Sequence, residues 1–151
     1  MSATAGNLDH RYAIGVFDTP VVFAAAESGF RQAGFGATAL NLLAGQRVVG
    51  QRPGLIGTGM TCASGPVVAS PGPLAETLRR AVPISTASPG AVFTRWLLPQ
   101  HAQFLEQHMD AGALLLWVQL AENALERPAS QILLRHSSHP VHVHDISDRS
   151  Q

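Results

Sequence analysis

An α+β fold, with helices layered on an antiparallel sheet, is what this sequence predicts, and three features carry the prediction. The first is the stretch from Ala111 to Ile146, AGALLLWVQLAENALERPASQILLRHSSHPVHVHDI, which reads as a strand, a helix and a strand. The second is a matching strand–helix–strand that opens the chain between Tyr12 and Leu43. The third is that two of these strands are apolar on both faces, so each needs a cover above and below.

In chain order, residues 1–10 read as a loose tail, and a single domain follows over residues 11–146. Tyr12 to Phe17 is a short strand with Tyr12, Ile14 and Val16 on one side and Ala13, Gly15 and Phe17 on the other. Asp18-Thr19-Pro20 starts a helix: Asp18 or Thr19 caps the unpaired N–H groups, and proline suits the first turn. Val22, Phe23, Ala26, Phe30 and Ala33 share its inner face. Gly34 is placed to end it in the left-handed conformation, with Phe35 folding back. Ala37 to Leu43 is expected as a second strand.

Residues 45–94 break the pattern, being rich in Gly, Pro, Ser and small apolar side chains, and read as an insertion. Within them, Pro73 with Leu74, Leu78 and Ala81 has helical spacing. Order returns near Arg95. Pro99 starts a helix with Ala102, Leu105 and Met109 inward and Gly112 as its stop, feeding a strand from Ala113 to Leu120. Leu125, Ala129, Ile132, Leu133 and His136 then recur on one helical face, and Val141 to Ile146 alternates at period two. Residues 147–151 form a short tail.

The assembled order, β-α-β, insertion, α-β-α-β, is the ferredoxin-like plan: a four-stranded antiparallel sheet with its crossover helices on one face. The first and third strands are central in that plan, and they are the two that are apolar on both sides. The crossover helices leave one sheet face open, to be covered by the insertion or by a second subunit; a homodimer or larger assembly is favoured, with Leu115, Trp117, Phe17 and Ala13 as interface residues.

Composition narrows the function classes. Ten basic residues, all arginine, balance ten acidic ones, which leaves no electrostatic footprint for nucleic acid or anionic lipid. One cysteine, Cys62, excludes an internal disulfide and fits a reducing compartment. The N-terminal residues lack a signal-peptide pattern, and the longest uncharged run is interrupted by Gly and Pro. A cytoplasmic protein without a membrane span is the expectation.

The segments YAIGVFDTP and AAESGFRQAGF, followed by LLPQHAQFLEQHMDAGALLLWVQLAENALERPASQILLRHSSHPVHVHDI, resemble the bacterial general stress protein (heat-induced stress protein) domain and allied small proteins of unknown function. The resemblance spans roughly residues 11–44 and 95–146 and omits the middle. It implies a ferredoxin-like fold and a link to stress or envelope physiology, and it brings no catalytic residues. The chain departs from the family where relatives carry a glycine zipper, since its middle has prolines and polar residues. It departs again at Pro128, which falls inside the last helix if Asn123 and Glu126 form a capping box.

The sharpest candidate chemistry is histidine. His136, His139, His142 and His144 cluster near the C-terminus, and His142 and His144 leave the same face of a strand. Together they offer imidazoles to zinc or copper, with Asp145 or Asp148 as a further oxygen donor. The plainer reading is an edge strand carrying polar rings. His101 and His108 share a helical face about 10 Å apart, too far for one ion, and read as flanking Leu105 at the core boundary. Cys62 lies among small residues with no basic neighbour and reads as structural. The run from Gly54 to Gly59 lacks the ending of a phosphate loop and reads as turns. Asp18 reads as a helix cap.

With no catalytic constellation, the leading expectation is a non-enzymatic, stress-associated interaction or regulatory protein that self-associates or docks on a protein partner and needs no cofactor. A zinc- or copper-binding module built on His142 and His144 is the alternative, and a small-ligand sensor on the open sheet face a weaker third.

Overall fold

The computed structural model describes residues 10–36, 39–50, 54–63, 65–69, 93–94, 97–120, 123–137 and 139–146. It is an α+β fold. Six strands are present among these residues: β1 (His10–Phe17), β2 (Leu40–Gly45), β3 (Ile56–Cys62), β4 (Gly65–Ala69), β5 (Leu114–Leu120) and β6 (His142–Ile146). The helices are α1 (Pro20–Gln32), the single turn α2 (Gln46–Val49), α3 (Pro99–Asp110) and α4 (Glu126–His136).

The strands form one sheet in the order β3-β4-β2-β5-β1-β6, every ladder antiparallel. β5 lies between β1 and β2, and β1 between β5 and β6. Each of the connections β1-α1-β2 and β5-α4-β6 therefore joins two parallel strands across a third that runs the other way. The sheet is larger than the four strands expected. A hairpin, β3-β4, pairs with the outer side of β2 through Leu43, Ala44 and Gly45. It comes from the region read as an insertion, whose alternation was hidden by Gly57, Gly65 and Pro66. The helix expected near residues 73–81 lies outside the described residues. β2 starts at Leu40, three residues later than the sequence suggested, and residues 37–38 are likewise outside.

Local signals were obeyed where they were strong. Thr19, in extended conformation, caps α1 by accepting from the Val22 N–H at 3.3 Å, and Pro20 occupies the first turn. At the other end Gly34 has φ 96°, the Phe35 N–H donates to the Phe30 carbonyl at 3.0 Å, and the Gly34 N–H donates to the Arg31 carbonyl at 3.1 Å. These are the paired bonds of a Schellman stop. α3 ends in the same way, with Gly112 at φ 99° and the Ala113 N–H on the His108 carbonyl at 2.9 Å. Pro128 does not kink α4: the helix begins at Glu126, after a 3₁₀ turn over Asn123–Leu125, so the proline sits in the first turn, where no N–H is needed.

The core has two halves. On one face of the sheet, α1 and α4 bury Phe23, Ala26, Phe30, Ala129 and Leu133 against Ala13, Phe17, Leu42, Leu114, Leu116 and Val118. On the other, α3 brings Ala102, Leu105 and Met109, with Phe93 and Leu97, onto Tyr12, Ile14, Val16, Leu43, Leu115 and Trp117. This corrects the expected open face. Leu115, Trp117, Phe17 and Ala13 are all fully buried within the subunit, and the first two face away from the last two. The helices are shared between the faces because the connection from β4 to β5 carries α3 over the side that α1 and α4 leave bare.

One close approach sets the spacing of α4 on the sheet. A Cβ added at Gly15 would meet Leu133 Cδ2 at 2.7 Å and Phe17 Cε1 at 3.2 Å. Gly15→Val is therefore expected to overpack this contact and to lower unfolding stability by about 1–3 kcal/mol, read as a fall in the urea midpoint at unchanged slope.

Candidate metal centre

The site grows from the alternation of β6. Its ladder with β1 sets His144 opposite Tyr12 and His142 opposite Ile14, so both imidazoles project on the α3 side of the sheet. Val143, opposite Ala13, turns to the other side and joins the core under α1 and α4, as does Val141. Among the described residues β6 is an edge strand, its histidine side having β1 as its lateral neighbour and the flank of α3 above.

That flank carries His101, Phe104 and His108, spaced i, i+3 and i+7, while Ala102, Leu105 and Met109 point into the core. The helix thus lays a row of rings beside β6. His101 has its ring centroid 5.0 Å from that of His142 and 4.9 Å from that of His144, and Phe104 sits 5.8 Å from His142. Half-buried His101, His142 and His144 each present a ring nitrogen such that the three lie within 4.8 Å of one another. One pair, His101 Nδ1 and His144 Nε2, is 3.4 Å apart. That is long for a hydrogen bond. It is close to the ~3.3 Å edge of a nitrogen tetrahedron drawn around zinc at its usual ~2.0–2.1 Å bond length.

The electrostatics favour the uncharged, ligating form of His142. Burial pushes the His142 imidazolium pKa below its ordinary value, and repulsion from His101 adds to this. His108 is lowered by burial and by His139, with Asp18 acting in the opposite sense.

Of the four histidines expected at a metal site, His142 and His144 are in the cluster and the other two are not. His136, in the last turn of α4, faces Gly29 of α1 on the far side of the sheet, where a Cβ on that glycine would lie 3.9 Å from its Nε2. His139 is on the correct side but farther along, its Nε2 2.8 Å from Asp18 Oδ1 and its ring 4.2 Å from that of His108. The side chains of Asp145 and Asp148 lie outside the described residues. His101 is the member that sequence reasoning set aside. Its seven-residue separation from His108 is too long for one ion, but its partners come from β6, which spacing along α3 does not show. Asp18 was assigned to the helix cap, yet Thr19 performs that role and the Asp18 carboxylate turns to His139 instead.

Cys62 ends β3 against the core, its Sγ 3.9 Å from the Met109 carbonyl, in keeping with a structural thiol. The glycines from 54 onward belong to the approach to β3 and to that strand, with Gly54 at φ 86°. A cavity of about 330 Å³ lies at the C-terminal end of α1, lined by Phe35, Gln119 and Leu125 among others, and contains none of the histidines. No family model, curated protein or solved structure matches this chain.

The lowered His108 and His142 values fix a pH dependence. The folded chain binds fewer protons than the unfolded chain between the depressed values and the ordinary one near 6.5. Stability of the metal-free protein should be level above about pH 6.5 and fall as the pH drops below it. Thermal unfolding followed from pH 8 to 5 checks this, and His142→Gln should flatten the acid limb.

Proposed function

We propose that this chain is a metal-binding module whose ion, zinc or copper, is held by His101, His142 and His144. One observation carries the reading: three imidazole nitrogens from two separate elements converge within 4.8 Å, with one pair already at tetrahedral-edge spacing. An all-imidazole donor set without thiolate suits zinc(II) and copper(II) and disfavours the hard cations that prefer oxygen. Three protein ligands leave a coordination position for water or for a ligand brought by a partner.

The expectation of a self-associating protein drew on an open apolar sheet face. With α3 over that face, the histidine centre supplies the stronger argument. The inner strand order β6-β1-β5-β2 supports reading the fold as a ferredoxin-like sheet that the β3-β4 hairpin extends.

Zinc titration of chelator-treated protein by calorimetry tests the reading. Binding near one ion per chain at His101, His142 and His144 is expected. Changing any one of them to Ala should weaken that binding by at least an order of magnitude while the metal-free fold is retained. Full affinity in the His101→Ala/His142→Ala double variant would sink the proposal.

A further inference from the structure

The crevice between α3 and β6 does not end at the three histidines. Beyond Phe104 it continues to His108, His139 and Asp18, three groups from three different segments. The His139 and Asp18 contact is 2.8 Å between Nε2 and Oδ1, and the His108 ring lies 4.2 Å from that of His139 at an interplanar angle of 52°. This is tighter than any ring pair within the first cluster, where the centroids are 4.9, 5.0 and 5.9 Å apart. Phe104 forms a shared wall, 4.5 Å from His108 and 5.8 Å from His142.

We infer that Asp18, His108 and His139 form a second cation position, weaker than the first, for the same class of borderline divalent ion. Two imidazoles and one carboxylate are a normal donor set for zinc or copper(II), water completing the shell. The cation takes the place of the proton that lies between His139 Nε2 and Asp18 Oδ1; from a neutral His139 that proton moves to Nδ1, and from an imidazolium one proton leaves to solvent. His108 must turn its ring to present a nitrogen, a fast motion for a part-exposed side chain.

The position is held by its own scaffolding. The Ser137 hydroxyl donates to the Val16 carbonyl at 2.7 Å and accepts from the His139 N–H at 3.2 Å. This ties the corner before β6 to the end of β1, two residues from Asp18. Because Thr19 takes the capping role, the Asp18 carboxylate is turned toward His139 and not into the helix. An exposed ion pair alone contributes little to stability, so structure is a poor account of three titratable side chains gathered here. The side chain of Asp18 is about half exposed at 53%. The second position is therefore the accessible one, where an ion arrives and exchanges, and the three-histidine position is where it is retained.

The inference rests on its own residues and can fail separately from the first site. Native mass spectrometry of the full chain in excess zinc should show two ions on the wild type, one of them lost on dilution. Asp18→Asn/His139→Gln should bind one ion and keep the tighter affinity, and His101→Ala/His142→Ala should keep only the weaker. His108→Gln, which leaves the Ser137 corner intact, should weaken the second ion by about 10–100-fold and carries the test if the double variant unfolds. A wild type whose single ion is unaffected by Asp18→Asn/His139→Gln, or a His108→Gln protein that binds two as tightly as before, overturns the second position. Loss of both ions in His101→Ala/His142→Ala would show a single shared site and overturn it too.

Discussion

The pairing of β1 with β5 is the constraint from which the remaining architecture follows. Ala13, Ile14, Val16 and Phe17 on one strand, and every residue from Leu114 to Val118 on the other, are buried, so neither strand can show a face to water. Burial of apolar area at about 25 cal/mol per Å² makes cover on both sides compulsory. α1 and α4 supply one layer because each belongs to a crossover that must pass the same side of the sheet. The long connection from β4 back to β5 supplies the other through α3. Once α3 is seated by Ala102, Leu105 and Met109, the side chains one position earlier or three later, His101, Phe104 and His108, have nowhere to point except along the crevice toward β6.

β6 answers that flank because a strand has period two. Val141 and Val143 satisfy the α4 side, which forces His142 and His144 to the α3 side. A lone surface pair of imidazoles would remain hydrated and would titrate near the ordinary value. Here the third ring closes over them, and desolvation shifts the balance toward the neutral form at His142. The neutral form is the ligating one. The packing that completes the hydrophobic core thus also brings the three imidazoles together at its edge.

Legibility in the sequence followed how local each determinant is. The α1 start at Thr19-Pro20 and the glycine stops at Gly34 and Gly112 are set by neighbours a few residues apart and were readable. So were β1, β5 and β6, where periodicity is unbroken, and with them the same-face pairing of His142 and His144. The β3-β4 hairpin was hidden because Gly57, Gly59, Gly65 and Pro66 have weak strand propensity and are fixed instead by pairing to β2 and by the buried Thr58, whose hydroxyl donates to the Val67 carbonyl at 3.0 Å. The side of the sheet chosen by α3 was equally hidden, being a property of topology. His101 joined the site only through that choice, and the expected open face was lost through it.

The alternative to a binding role is that the five histidines of the crevice merely fill space at an edge. Stability argues against this. His108 and His142 carry lowered values, so each makes the folded state less tolerant of acid, which Phe, Leu or Gln in the same half-buried positions would not. Their packing contribution is also modest, for an imidazole buries less apolar surface than Phe104 does in the same row. A composition that costs acid stability and adds little packing is one that physics alone would replace. What imidazole offers that those side chains lack is a nitrogen lone pair in its neutral form, and the crevice brings three such rings together with a nitrogen of each within 4.8 Å of the others.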